Sequence, residues 1–123
     1  MEYSVSVRET SKELSPKERV QIKDTTDSIR LDEATKENAI IIDVDFYAIL
    51  DIHNEKSEDK DYSTYVVVDK NGQRYTTGSN SFWNSFINIC EEMKEVSEPW
   101  SIKVYRIPSK NRAGKEFITC SLV

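Results

Sequence analysis

The chain has 123 residues, 37% hydrophobic and 32% charged, with 17 Lys+Arg against 22 Asp+Glu and a net charge of -5. That length suits one domain with a hydrophobic core needing no disulfide or metal staple. It has no run of about 18 apolar residues, which argues against a membrane span, and "MEYSVSVRET" lacks the basic start and apolar stretch of a signal peptide, so a cytoplasmic protein is expected.

Residues 1–38 are polar and weakly patterned. They are expected to pack as an extension on a domain of residues 39–123. Within them, "LSPKERVQI" carries a helix start: Ser15 caps, Pro16 suits the first position and Glu18 completes a capping box. "KDTTDSIRLDEATKEN" reads as a charged connector.

From Ala39 the pattern sharpens. In "AIIIDVDFYAILDI" Ile40, Ile42, Val44, Phe46, Ala48, Leu50 and Ile52 share one face, and Asp43, Asp45, Tyr47 and Asp51 the other, which predicts a long half-buried strand. "NEKSEDKD" is a charged loop, and "YSTYVVVDK" a second strand. Asn71-Gly72 is a hairpin signal, and "QRYTTG" the return strand. "SNSFWNSFINICEEMKEV" places Phe82, Phe86, Ile89, Cys90 and Met93 on one helical face, with Ser79 or Ser81 as cap. "WSIKVYRI" and "KEFITCSLV" are the last two strands, joined by "PSKNRAG". The order β-β-β-α-β-β predicts a mostly β protein with one helix, an OB-fold-like five-stranded barrel closed at one end by helix 80–95; the alternative is an open α+β sheet with one covering helix.

Chemical motifs are sparse. The three glycines form no phosphate loop. His53 is the sole histidine and stands at a strand end, with no nucleophile motif around it. Asp43 and Asp45 read as a solvated strand face. Cys90 and Cys120 read as buried small hydrophobes, and no clustered Cys and His supply the four ligands of a zinc site. No enzyme activity, cofactor or metal is expected.

The charge is uneven. Residues 1–60 hold 9 basic and 15 acidic side chains, whereas residues 100–123 hold five basic ones (Lys103, Arg106, Lys110, Arg112, Lys115) and one acid, Glu116. Alternation turns Trp100, Ile102, Val104, Ile118, Cys120 and Leu122 inward. Lys103, Tyr105, Lys115, Phe117 and Thr119 then face outward. A five-residue loop "SKNRA" would pair Tyr105 with Phe117 and Lys103 with Thr119. Two rings flanked by lysines, with Lys110 and Arg112 on the loop, have the composition of a single-strand platform, where rings stack on bases and cations follow phosphates. The bland alternative is a cross-strand pair covered by residues 1–38. In the central hairpin, Tyr65, Val67, Tyr75 and Thr77 share a face if the turn carries a bulge; a plain two-residue turn sets Tyr75 opposite Val68. Tyr65 and Tyr75 are further candidates, and Arg74 is expected to be exposed in either register.

"YTTGSNSFWNSF" and "PSKNRAGKEFITCSLV" together resemble small single-stranded-DNA-binding proteins of bacteriophages and mobile elements in Gram-positive bacteria. "SPKERVQIKDTTDSI" is similar to the leading segment of such phage early proteins. The resemblance implies an OB-like fold and single-stranded DNA binding in replication or recombination, in the bacterial host cytoplasm. By position it favours Lys110, Arg112, Lys115 and the strand aromatics. Phage or host replication proteins are the implied protein partners. Familiar replication single-strand binders recruit partners through a flexible acidic tail, and this sequence departs from that pattern, reading "CSLV" as a strand, which counts against recruitment through such a tail. A barrel of this size also admits a homodimer through a strand edge. The rival reading is an acidic phage-encoded inhibitor of a host protein, working through Asp24, Asp27, Asp32, Glu33, Glu37, Asp43 and Asp45.

Overall fold

The computed structural model describes residues 3–109 and 114–123. In chain order its elements are β1 (Tyr3–Thr10), α1 (Pro16–Lys23), β2 (Ile29–Arg30), α2 (Leu31–Ala34), β3 (Ile40–Asn54), β4 (Asp61–Asp69), β5 (Arg74–Thr77), α3 (Asn80–Met93), β6 (Ser101–Pro108) and β7 (Glu116–Leu122). The chain is mostly β, and β3 to β7 with α3 reproduce the order expected from the sequence. The additions lie upstream: β1, β2 and the single turn α2 fall where a weakly patterned extension and a connector were expected. Among the described residues α1 follows the helix start at Ser15, α3 is the expected helix of the β-β-β-α-β-β order, and α2 is the one that was not expected. Among the described residues no helix is long and apolar enough to cross a membrane.

Two compact units divide the chain. One comprises residues 1–29 and 45–78, the other residues 30–44 and 79–123.

In the first unit, β1 pairs antiparallel with β3 from Tyr3↔Asn54 to Thr10↔Ala48, with a bulge between Val7 and Glu9. β3 also pairs with β4. Phe46, Ala48, Leu50 and Ile52 point to one side and meet Val66 and Val68 of β4. Leu14 and Ile22 complete this core, with Val5 and Val7 packed against it. Full burial of a Leu, Ile, Val or Phe side chain contributes about 1.5–3 kcal/mol. The α1 turn starts as its sequence requires. The Ser15 amide donates to Glu18 Oε1 at 3.0 Å, and the Glu18 amide to Ser15 Oγ at 3.2 Å.

The β4–β5 hairpin takes the bulged register, with Val67 opposite Tyr75 and Tyr65 opposite Thr77. Asp69 builds the turn: its carboxylate accepts from the Asn71 and Gln73 amides at 2.9 and 2.8 Å. Its backbone amide donates to the Gln73 carbonyl at 3.0 Å. Gly72 sits at φ +86°, a conformation that costs a side-chain-bearing residue roughly 1–2 kcal/mol.

In the second unit, residues 40–43 of β3 pair with β6, and β6 pairs with β7. Ile42, Val44, Ile102, Val104, Ile118 and Cys120 are buried. The helix α3 is capped by Ser79, whose Oγ accepts from the Phe82 amide at 3.2 Å. Phe82 stacks on Phe86 at 5.6 Å between ring centroids, Trp83 lies 5.2 Å from Phe86, and Trp100 lies 6.4 Å from it. Trp83 is therefore core, while Ile89, Cys90 and Met93 are only half-buried. Burial pushes the Cys90 and Cys120 thiols each up to about 12, so neither is a thiolate at neutral pH.

Phe86 is the ring that touches all three other aromatics. Phe86→Ala should cost roughly 3–5 kcal/mol in urea denaturation followed by tryptophan emission. A loss below about 1 kcal/mol, typical of surface sites, would contradict this packing.

Candidate nucleic-acid interface

The β6–β7 ladder runs from Ile102↔Leu122 to Pro108↔Glu116. Tyr105 lies opposite Thr119, Lys103 opposite Ser121, and Phe117 opposite Ile107. This corrects the pairing expected from the sequence by two residues. The cause is a longer connection: pairing reaches Pro108↔Glu116, and the Ser109 amide donates to the Lys115 carbonyl at 2.8 Å. The expected five-residue loop is thus a seven-residue stretch, 109–115. A shift of two residues leaves each side chain on its own face, because the strand period is two.

The faces are therefore as expected except at Leu122. Ile102, Val104, Ile118 and Cys120 are buried on one side. Lys103 and Lys115 are exposed on the other side, Tyr105 and Ile107 are half-buried, and Phe117 is 36% exposed. Leu122, expected to be inside, is exposed at the strand end. Tyr105 and Phe117 are diagonal neighbours across the ladder, a spacing that long and aromatic side chains bridge. The Lys103 ammonium stands 5.8 Å from the Tyr105 ring centroid, within cation–π range. Tyr105 Oη and Ser121 Oγ share a hydrogen bond of 2.7 Å, which fixes the ring's tilt. Ile41 of β3, opposite Lys103, extends the apolar surface and is 55% exposed.

The helix α3 fastens β7 from its other flank. Ser81 Oγ donates to the Ile118 carbonyl at 2.9 Å, and Ser85 Oγ and Thr119 Oγ1 share a hydrogen bond of 2.8 Å. A helix hydroxyl bonded to an edge-strand carbonyl occupies an acceptor that would otherwise invite another strand.

One cation of the basic segment is already committed. Arg106 faces the side opposite Tyr105, where its Nη2 donates to the Asp32 carbonyl and its Nε to Thr35 Oγ1 at 3.3 Å. Thr35 Oγ1 in turn donates to the Leu31 carbonyl at 2.7 Å. The α2 turn thus lies on the side away from the Tyr105 and Phe117 rings. Lys110 and Arg112 lie outside the described residues.

The remaining sequence candidates belong to the first unit. Tyr65 and Tyr75 share a face and are half-buried. Arg74 is half-buried rather than exposed, and its Nε is enclosed without a hydrogen-bond partner among the described residues. It lines a cleft of about 350 Å³ with Lys12 and Lys70. Those two lysines face Asp45 at 3.7 and 3.8 Å, and Lys12 also lies 4.3 Å over the Phe46 ring. The acids therefore offset the local positive charge.

Sequence reasoning missed a second polar cleft in this unit, of about 420 Å³, on the outer side of β1, β3 and β4. Its floor is an ion pair: Arg8 Nε donates to Asp51 Oδ2 at 3.1 Å and Nη2 to Asp51 Oδ1 at 2.5 Å. Ser63 Oγ accepts from Arg8 at 3.0 Å and donates to Asp51 at 3.1 Å. The Arg8 hydrogen bond holds the Asp51 carboxyl below the usual carboxylate range. The alternation of Tyr3, Val5 and Val7 with Ser4, Ser6 and Arg8 was the available signal. Among the described residues no group of three or more His, Cys, Asp or Glu could hold a metal ion.

No protein-family model, curated protein or solved structure matches the chain.

Arg106 is a structural tether in this geometry. Arg106→Ala should lower stability by roughly 1–2 kcal/mol, the lower part of the range for charged hydrogen bonds at a half-exposed site. Urea denaturation measures it. Unchanged stability would mean that the α2 contact contributes nothing.

Proposed function

We propose that this protein binds single-stranded DNA on the outer face of β6–β7, as a phage or mobile-element protein that protects or organises the strand in replication or recombination in its bacterial host's cytoplasm. The observation that carries the reading is one sheet face that presents Phe117, 36% exposed, and the half-buried Tyr105 between the exposed Lys103 and Lys115, while Ile102, Val104, Ile118 and Cys120 are buried on the opposite face. Rings of this kind stack on bases of any sequence, and the ammonium groups follow the phosphates.

The proposed architecture is OB-like. β3 pairs with both β4 and β6, and β4 pairs with β5. The fourth strand of the set, β6, thus returns through α3 to lie beside the first, the Greek-key order on which OB barrels are built. In that fold the loop between the fourth and fifth strands is one of the ligand-binding loops. Here it is the stretch 109–115 that carries Lys110, Arg112 and Lys115.

The rival, an acidic inhibitor of a host protein, draws support from the exposure of all seven acids named for it. Asp24, Asp43 and Asp45 are engaged, however: Asp24 Oδ1 accepts from the Thr26 amide at 3.1 Å. Asp45 faces Lys12 and Lys70, and Asp43 accepts from Ser101 Oγ at 2.5 Å.

Titration of a fluorescent oligonucleotide at several salt concentrations tests the proposal. Each phosphate contact contributes about 0.7 to the salt slope for a single strand, so Lys103→Ala with Lys115→Ala should flatten it by roughly 1.4. Tyr105→Ala or Phe117→Ala should weaken binding by about 1–3 kcal/mol with little change of slope. Absence of binding by the wild-type protein at low salt would remove the proposal and leave the inhibitor reading.

A further inference from the structure

The connection between β3 and β4 is drawn together at its base. The Asn54 amide donates to the Lys60 carbonyl at 2.7 Å, and the Ser57 amide to the Asn54 carbonyl at 3.0 Å. Asn54 Oδ1 accepts from the Lys56 amide at 3.0 Å. One side chain spans the same connection from strand to loop to strand. His53, on β3, has Nδ1 2.7 Å from Asp61 Oδ1, at the start of β4, and Nε2 2.6 Å from Glu55 Oε1, in the loop.

The chemistry of this arrangement admits one charge state. An ionised carboxylate only accepts hydrogen bonds, and a neutral imidazole has a single N–H. Two carboxylates on the two ring nitrogens therefore require both N–H groups, which only the imidazolium has. Removing one proton would leave a nitrogen lone pair facing a carboxylate oxygen at under 3 Å. The groups around the ring reinforce this. Glu55 Oε2 lies 3.1 Å from Lys60 Nζ, which keeps Glu55 ionised. From β1 the residue opposite His53 is the neutral Ser4. The nearest β1 cation in the cleft, Arg8, is already matched by Asp51. Of the two loop cations, Lys60 is matched by Glu55, and Lys56 is an exposed side chain.

We propose that His53 is a proton-operated latch on the 54–61 connection: the imidazolium ties Glu55 and Asp61 together and holds the loop closed, and the neutral ring releases it. His53 and Asp61 also line the 420 Å³ cleft with Arg8, Asp51, Tyr62 and Ser63. Release therefore makes one wall of that cleft more negative and frees the loop beside it. This proposal is independent of the DNA-binding reading.

The direction of the pH dependence follows. Hydrogen bonds to Asp61 first and Glu55 second raise the His53 pKa above its ordinary 6.5. A group with a raised folded pKa stabilises the closed form fully below the unfolded value. That contribution is lost as pH rises through the folded pKa. The loop should thus be closed in mild acid and open above the ring's own midpoint.

His53 is the only histidine in the chain, so its ring resonances are unambiguous in NMR spectra of the full-length protein. A titration from about pH 5 to 9 brackets the range in which histidine titrates. The ring should titrate above 6.5, the 54–61 amides should follow with the same midpoint, and Asn54 amide exchange should accelerate above it. Asp61→Asn and Glu55→Gln should each lower the ring's midpoint. His53→Gln should abolish the transition in the 54–61 amides while tryptophan emission stays that of the folded protein. A ring midpoint at or below 6.5, amides that do not follow the ring, or carboxamide variants that leave the midpoint in place would each overturn the latch.

Discussion

The alternating burial of β3 is the constraint on which the rest of the molecule depends. From Ile42 to Ile52 every second side chain is buried, and a strand can satisfy that only if other elements supply apolar partners along its whole length. Around residues 40–44 the partners are Ile102 and Val104 of β6. Around residues 45–54 they are Val66 and Val68 of β4, with Leu14, Ile22, Val5 and Val7 from the N-terminal segment. Because the side-chain period is two, a slip of one residue would put Asp43, Asp45 and Asp51 into those interiors. The cost of burying unpaired carboxylates fixes the register of β3, and with it the faces of the strands that pair to it.

What was legible in the sequence follows from that same periodicity. The buried faces of β3, β6 and α3 stood out because apolar residues recur at two or at three and four. The capping box of α1 was legible because Ser15, Pro16 and Glu18 are local signals. Period two was also present in β1, but Ser, Thr and Arg between the valines made "YSVSVRET" look merely polar. The turn α2 is four residues long, too short to leave a pattern. Alternation also failed at Ile49, which is buried on the face of β3 expected to be polar.

Register and long-range partners were not legible. The β6–β7 pairing depends on where the ladder stops at Pro108↔Glu116, and nothing in "PSKNRAG" specifies seven connecting residues rather than five. Arg106 bonds to a carbonyl 74 positions earlier in the chain. Its neighbours in sequence made it look like one more member of a basic cluster. His53 looked isolated for the complementary reason: its partners Glu55 and Asp61 are local, but a strand–loop–strand reversal is needed to bring both to one ring.

The charge of the C-terminal segment now divides by role. Five cations against one acid suggested a uniformly positive hairpin. With Arg106 bound to α2 on the far side, Lys103 and Lys115 are the described cations of the outer face, and Lys103 shares its charge with the Tyr105 ring. Exposed acids elsewhere on the protein act on this face only within about 8–10 Å at physiological salt. Asp43, two residues along β3 from Ile41, is turned toward Ser101 by its hydrogen bond. On the proposed reading, long-range attraction is therefore weak for a protein of net charge -5. Affinity must come from short-range terms, chiefly ring contact, with the lysines setting the path of the backbone. On that reading the surface discriminates by access to bases. Paired bases bury their faces in the helix, and only an unpaired strand offers them to Tyr105 and Phe117.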